Sequence, residues 1–277
     1  MWKIIADSGS NIVTLGQEVA YERVPLTIQI GPTSFVDDAA LDCAHMMETM
    51  YASDLAATTS CPSPDAYVKA FDQADKIIVI TITGTLSGSN NSARLAKEAY
   101  LEDHPQAQIH IIDSLSAGGE MDLLIVKAQE LIAAGQSFEA VVAELEAYQA
   151  KTSLLFVLSK VDNLVKNGRL SKLVGKVVGL LNIRMVGRAD HEGRLELLHK
   201  ARGQKKAVAA VIEEMQKAGY QGGKVMLAHL DNPKLYQSIT EAIHQQYPQA
   251  EVKNLTASGL CQFYVEKEGL IMGYEIA

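Results

Sequence analysis

The chain has few of the signatures that would name a chemistry outright. Its 277 residues include only 3 Cys, at positions 43, 61 and 261. Their odd number and wide spacing argue against a disulfide framework or a zinc site and read as reduced thiols in a cytoplasmic protein. No stretch approaches the ~18 consecutive apolar residues of a membrane span, and the opening apolar run is too short for a secretory signal. Basic charge is scarce: 25 Lys and Arg face 33 Asp and Glu, a net charge of -8. No basic run exceeds two residues, so nucleic acid is not an expected partner. The 7 His form no HxH or HExxH pairing, which leaves no evident metal site. The phosphate loop GxxxxGK[ST] and the dinucleotide fingerprint GxGxxG are absent. No cofactor is expected.

What is present is a globular core. Hydrophobic residues make up 48% of the chain, enough for one large or two small domains. KIIA (3–6), IIVITI (77–82) and IHIID (109–113) read as strands. Residues 33–51 carry a helical period, 88–101 form a helix, and 118–135 form a strong helix ending at Gly135. A further helix runs from Ser137 to about Tyr148. This alternation predicts a parallel sheet covered by helices. After Lys151 the rhythm changes. SLLFVLS (153–159) is a strand, and VDNLVKNGRLS is a short helix and turn. KLVGKVVGLLN (172–182) is helical. IRMVGR and RLELLHK form an antiparallel pair joined by ADHEG. A helix at 203–218, the strand VMLAH (225–229), a helix at 233–246 and strands near 251–256 and 270–275 complete the chain. The expectation is two α/β domains: a parallel-sheet domain over 1–150 and a mixed-sheet domain over 151–277.

The stretch TGTLSGSNNSAR (83–94) carries the first functional signal. It follows a strand and opens a helix, so backbone N–H groups, hydroxyls and a positive helix end meet in one turn. Without a lysine it suits a small singly charged anion such as a carboxylate; the alternative is a simple Ser/Gly cap. ATTSCPSPDAY (57–67) is a second hydroxyl cluster. In it Ser63 before Pro64 fits an N-cap, and Thr58, Thr59 and Ser60 have no such explanation. The first strand ends in a third, Asp7-Ser8-Gly9-Ser10. Loops at the carboxyl ends of parallel strands line ligand crevices, so the three turns can converge. Cys61 reads as a small apolar filler. Arg169 reads as a solvated loop residue, Asp231 or Asn232 as a helix cap, and ARGQKK (201–206) as a solvated basic face.

Taken in order, these segments resemble the DegV family of bacterial proteins. ADSGSNI (6–12) matches the family's D-S-[TG] turn, and TSCPS (59–63) its T-S-Q-P-S, with Cys61 in place of glutamine. TGTLSGSNNSA (83–93), NGRLS (167–171), LLNIRMV (180–186), ARGQKKA (201–207) and HLDNP (229–233) match further segments across the whole chain. The resemblance implies a long-chain fatty acid in a buried tunnel between two α/β halves. It places the carboxylate against Thr59 and Ser87, with the Gly88 N–H as a further donor. Some members present the acid to an ATP-using kinase that makes acyl phosphate for phospholipid synthesis. The turn holding Arg169 is implicated in that partner contact. One departure stands near the end: many members have a histidine that approaches the carboxylate, and counting back from the last strand puts Tyr264 there. A neutral phenol can donate the same hydrogen bond.

The first expectation is therefore a non-catalytic lipid carrier with ligand contacts at Thr59, Ser87, Gly88 and Tyr264; the nine Met could line the tunnel, but most of them read as ordinary core. The alternatives are a serine hydrolase or transferase using Ser87, with a distant base such as His229, and a small-acid sensor. The turn Thr85-Leu86-Ser87-Gly88 lacks the glycine that the nucleophile elbow G-x-S-x-G has two residues before its serine.

Overall fold

The computed structural model describes residues 1–16, 19–72, 74–171 and 182–277. In chain order the first half holds β1 (Trp2–Asp7), β2 (Ala20–Val24), β3 (Thr27–Ile30), β4 (Thr33–Val36), α1 (Cys43–Ala52), β5 (Ala57–Ser60) and α2 (Pro64–Phe71). Then come β6 (Lys76–Thr81), α3 (Ser89–Asp103), β7 (Gln108–Asp113), α4 (Gly119–Ala133) and α5 (Phe138–Gln149). The second half holds β8 (Thr152–Leu158), α6 (Asp162–Lys166), β9 (Ile183–Ala189), β10 (Leu195–Arg202) and α7 (Gln204–Lys217). It ends with β11 (Lys224–His229), α8 (Pro233–Gln246), β12 (Glu251–Thr256), α9 (Gly259–Val265) and β13 (Leu270–Glu275).

The sheets confirm an α/β fold with a parallel N-terminal and a mixed C-terminal sheet. The first runs β2-β1-β6-β7 with every pairing parallel, and the second runs β10-β9-β8-β13-β11-β12. In the second, β13 is antiparallel to both β8 and β11, while β11 and β12 are parallel. Residues of β6 are buried along nearly its whole length, as expected for a parallel strand covered by helices on both faces. β8 reads the same way: Leu155 and Val157 face one apolar cluster, and Leu154, Phe156 and Leu158 face another.

The helix starts follow local chemistry. Ser63 accepts from the Ala66 N–H with Pro64 at the first helical position, Ser137 caps α5, and Asn232 caps α8. Gly135, with φ +75°, follows α4 in the left-handed conformation that suits glycine.

α4 joins the halves. It packs on β1 and β6 on one side and on β8, β11 and β13 on the other, which explains why Met121, Leu123, Leu124 and Ile125 are all buried. Its approach to the second sheet requires glycine. A Cβ on Gly119 would lie 2.0 Å from the Met226 carbonyl oxygen, and one on Gly273 would lie 2.1 Å from the Glu120 nitrogen. The preceding loop is tied to the helix: Asp122 accepts from the Asn11 N–H at 2.8 Å, the Asn11 side chain at 2.8 Å and the Ile12 N–H at 3.3 Å.

One expectation is corrected. Residues 33–36 are strand β4, not helix, and the helix begins only at Cys43, capped by Asp42. The helical period had been extended across Phe35 and Val36, which instead pair with β3 in a three-stranded antiparallel sheet, β4-β3-β5. The segment around Tyr264 is helix α9, which the sequence reading had left unassigned. The expected helix at 172–182 falls, but for Asn182, outside the described residues.

α9 also crosses back in space. Although it lies late in the chain, its N-terminus is held by the first half. Asp37 accepts from the Gly259 and Leu260 N–H groups at 2.8 Å each. The Ser258 N–H donates to Asn11 Oδ1 at 3.1 Å, and the Ser258 hydroxyl to the Ser8 carbonyl at 2.9 Å.

Candidate functional site

A cavity of about 290 Å³ lies where these parts meet, near the lower edge of the ~300–1,000 Å³ range of small-molecule sites. Hydrocarbon makes most of its wall. Leu154, Phe156 and Leu158 come from one face of β8 and Ile271 from the adjacent β13. Leu26 and Ile82 contribute from the first half, and Leu260 and Val265 from α9. No Met lines it among the described residues, in keeping with the reading of most of them as ordinary core. Met46, Met47 and Met50 instead pack with Ile28 and Phe263 under the small antiparallel sheet.

One end is polar. Strand β5 presents Thr59, and α9 presents Tyr264, whose hydroxyl lies 2.7 Å from the Thr59 hydroxyl. Burial pushes the Tyr264 phenol above its ordinary value, with the Thr59 hydrogen bond and the Arg169 charge opposing. It therefore stays a neutral donor at pH 7. The loop from β6 to α3 supplies Thr83, Leu86, Ser87 and Gly88 to the same wall. Gly88 is the exposed cap residue of α3, where no side chain caps the helix. The backbone folds tightly there: the Leu86 and Ser87 N–H groups both donate to the Thr83 carbonyl at 3.2 Å. Ser87 Oγ accepts from the Ser89 N–H at 3.3 Å.

Contacts from both halves brace that loop. The Thr85 hydroxyl donates to the Glu192 carbonyl at 2.6 Å. Gly193, in the turn between β9 and β10, has φ +76°, and a Cβ there would lie 2.1 Å from Thr83 Oγ1. Arg169 Nε donates to the Leu86 carbonyl at 3.1 Å, and its Nη1 to the Asn167 carbonyl at 2.5 Å. Beneath the loop, Asp7 is fully buried. It accepts from the Gly9 N–H and the Ile82 N–H at 2.9 Å each and from the Ser89 hydroxyl. Ser89 also bonds Tyr67 at 2.6 Å. Burial pushes the Asp7 carboxyl up to about 6.

The sequence had offered three hydroxyl-rich turns, and two of them converge on the cavity: the one at 59–61 and the one at 83–88. The third, Asp7 to Ser10, lies behind the wall and acts as a support, because its groups are engaged with backbone and with Ser89. Thr59, Ser87, Gly88 and Tyr264 all line one cavity, and so does Arg169. The reading of Arg169 as a solvated loop residue is thereby corrected. Cys61 lines it as well, its Sγ 3.0 Å from where a Cβ on Gly88 would sit. Asn232, not Asp231, caps α8.

The sequence reading missed the buried acids that hold the site's framework. Asp37 holds α9 in place, with its carboxyl pushed up by burial against the opposing Arg23 charge. Asp122 is pushed up to about 7 by burial. Nothing in the sequence pairs them with partners more than a hundred residues away, though an acid inside an otherwise apolar stretch, as in EMDLLIV, is a signal.

Chemically, the polar end offers, among the described residues, donors and a cation but no base. No Asp, Glu or His lines the cavity among the described residues. His229 is at the end of β11, where its Nδ1 faces the Asn232 N–H at 3.4 Å. It is not part of the cavity wall. Among the described residues, no group of three His, Cys, Asp or Glu is placed to hold a metal ion. Such a site can orient a carboxylate, and among the described residues nothing beside Ser87 is placed to take its proton.

Comparison with known proteins identifies relatives of this fold. The chain matches, over residues 1–274, the family profile described as "Uncharacterised protein, DegV family". It is 62% identical over 278 residues to a DegV domain-containing protein of Streptococcus pyogenes serotype M1, covering 99% of each chain. The solved structure of the Streptococcus pneumoniae fatty acid kinase (Fak) B3 protein loaded with linoleic acid is 59% identical. It superposes with a TM-score of 0.98 over 100% of this chain and 99% of that one. A DegV family protein from Eubacterium eligens loaded with heptadecanoic acid is 37% identical, with a TM-score of 0.97 over 100% of both chains. By sequence and by fold, this chain belongs to the DegV family.

Proposed function

We propose that this chain is a carrier that binds one long-chain fatty acid between an N-terminal domain (1–150) and a C-terminal domain (151–277). It presents the carboxylate to a partner kinase for acyl-phosphate formation in the cytoplasm. The observation that carries this reading is the polarity of the cavity. A hydrocarbon-lined space ends in Thr59, Tyr264, Ser87 and the Gly88 backbone, with Arg169 alongside. A sixteen-carbon chain buried there gains on the order of 12 kcal/mol at ~0.8 kcal/mol per methylene, before the costs of binding. The chain alone would bind in either direction. The hydroxyl cluster fixes direction and replaces the water that the carboxylate loses. The relative loaded with linoleic acid, and named as part of a fatty acid kinase, supports both the ligand class and the partner.

The carrier is not itself the catalyst in this reading. The kinase brings ATP and its metal, and the acid is the group phosphorylated. A hydrolase would need a base within hydrogen-bond reach of Ser87, and the donors around it cannot serve as one. The test is to purify the protein, denature it and analyse the extract by mass spectrometry. One fatty acid per chain supports the carrier. A protein that is empty and takes up no added acid, or that is labelled at Ser87 by a serine-reactive phosphonate, overturns it.

A further inference from the structure

A second depression opens on the other side of the Ser87 turn. It encloses about 410 Å³ and shares Leu86, Ser87, Gly88 and Arg169 with the inner cavity. Its remaining wall is Gly84, Thr85, Asn90, Asn91 and Arg94. The two spaces are thus separated by one turn of chain, and they differ in kind. The inner one is hydrocarbon with a polar end. The outer one is lined by amides, two hydroxyls and two guanidinium groups.

Its electrostatics are one-sided in a protein of net charge -8. No carboxylate lines it among the described residues. The acid nearest in the chain's hydrogen-bond pattern, Asp113, is engaged by the Gly84 N–H at 3.1 Å and the Leu115 N–H at 3.0 Å. Arg94 is exposed on the second turn of α3. Among the described residues its guanidinium makes no ion pair or hydrogen bond. Such a cation, with Asn91 one turn earlier and the uncapped start of α3, forms a donor set for an anion with several oxygens, while the Asn90 amide beside it donates to Thr81 Oγ1 at 3.1 Å.

We infer that this outer pocket receives the phosphoryl group of the acyl phosphate, with Arg94 as its principal ligand. The inference rests on the carrier reading. A fatty carboxylate held at Ser87 carries one negative charge. In the transfer, a carboxylate oxygen attacks the γ-phosphorus of ATP, a new C–O–P linkage forms, and the bond from that phosphorus to the bridging oxygen breaks. ADP leaves with the electron pair. The product carries three terminal phosphoryl oxygens and about one more negative charge. The hydrocarbon walls of the inner cavity have no donors for these, whereas the pocket across the shared turn has them. Arg169 forms part of both walls, with two of its nitrogens fixed on backbone carbonyls. Arg94 is the cation with its full fork available for bidentate phosphate recognition.

The experiment compares two ligands on the full chain. One is palmitate. The other is 2-oxoheptadecylphosphonate, in which a methylene replaces the labile bridging oxygen of palmitoyl phosphate. Affinities are measured by calorimetry for the unaltered chain, Arg94→Gln and Arg94→Lys. The expected result is that Arg94→Gln weakens the phosphonate at least ~10-fold, equivalent to ~1.4 kcal/mol, and leaves palmitate within about twofold. Arg94→Lys should recover part of the loss, because a point charge remains without the fork. Loss of both ligands equally, or of neither, overturns the inference. So does a chain that binds palmitate but not the phosphonate. Weakened kinase association with unchanged phosphonate affinity would make Arg94 a protein contact instead. Failure to bind palmitate at all would overturn the carrier reading and this inference with it.

Discussion

Replacing Tyr264 by Phe removes one oxygen from the polar end of the cavity and leaves the ring that packs against Phe263. Two consequences separate. In the empty protein the Thr59 hydroxyl loses its partner at 2.7 Å. Thr59 is only partly buried, so stability should fall by about 1 kcal/mol or less. In the loaded protein the phenol would donate to a carboxylate, and hydrogen bonds to charged groups contribute ~1.5–3 kcal/mol. The dissociation constant for palmitate should therefore rise by roughly 10- to 100-fold. Equilibrium dialysis with labelled palmitate measures the second effect and urea unfolding of the delipidated protein the first. Adding Thr59→Val closes a double-mutant cycle. If both hydroxyls meet one carboxylate, the double variant should lose less than the sum of the two single losses. An affinity unchanged within twofold, with only the stability shift present, would refute the assignment and leave Tyr264 as a packing residue.

Other expectations follow from the framework. Burial pushes Glu120 from 4.5 up to about 7, with Thr152 Oγ1 donating to it at 2.7 Å. Because the folded value is raised, the native state binds the extra proton, and stability is lost as pH rises from about 4.5 to about 7. Glu120→Gln should remove a cost of about 3 kcal/mol at pH 8 and little at pH 4. Parallel unfolding curves at the two pH values would contradict this. Gly119→Ala drives a Cβ into the Met226 carbonyl, so it should cost more than about 4 kcal/mol and yield little soluble protein; a normal melting temperature would show that α4 can shift. Gly88→Ala meets Cys61 Sγ at 3.0 Å without backbone strain, since φ is −73°. It should weaken fatty-acid affinity severalfold, and Cys61→Ala should restore it; no rescue would place the effect elsewhere.

The regular elements were legible because their signals are local. Ser63-Pro64, Ser137 and Asn232 mark helix starts through side-chain caps that need no distant partner. The apolar runs 77–82 and 153–159 read as strands because both faces are covered. The small antiparallel sheet was not legible. Its three strands have 4 residues each and carry polar groups on exposed faces, so no clear period distinguishes them. α9 was missed for a different reason. Its 7 residues, GLCQFYV, include glycine, two aromatic residues and valine, all weak helix formers. The helix is imposed from outside, by the Ser258 cap and by Asp37 across 222 residues of chain. The positions in the candidate site came from the family resemblance; that Thr59 and Tyr264 would touch was a long-range fact of the fold. Arg94, the last residue of the stretch 83–94 that drew attention to Ser87, carries no signal of its own because its meaning depends on the pocket it faces.

The most direct test of the central claim is carbon-13 NMR of the protein titrated with palmitate labelled at the carboxyl carbon. The account predicts one bound resonance, distinct from free and vesicle-held acid, that saturates at one equivalent and shifts in Tyr264→Phe and Thr59→Val. No bound resonance at one equivalent, or a bound resonance indifferent to both substitutions, would contradict a carboxylate seated at this end of the cavity.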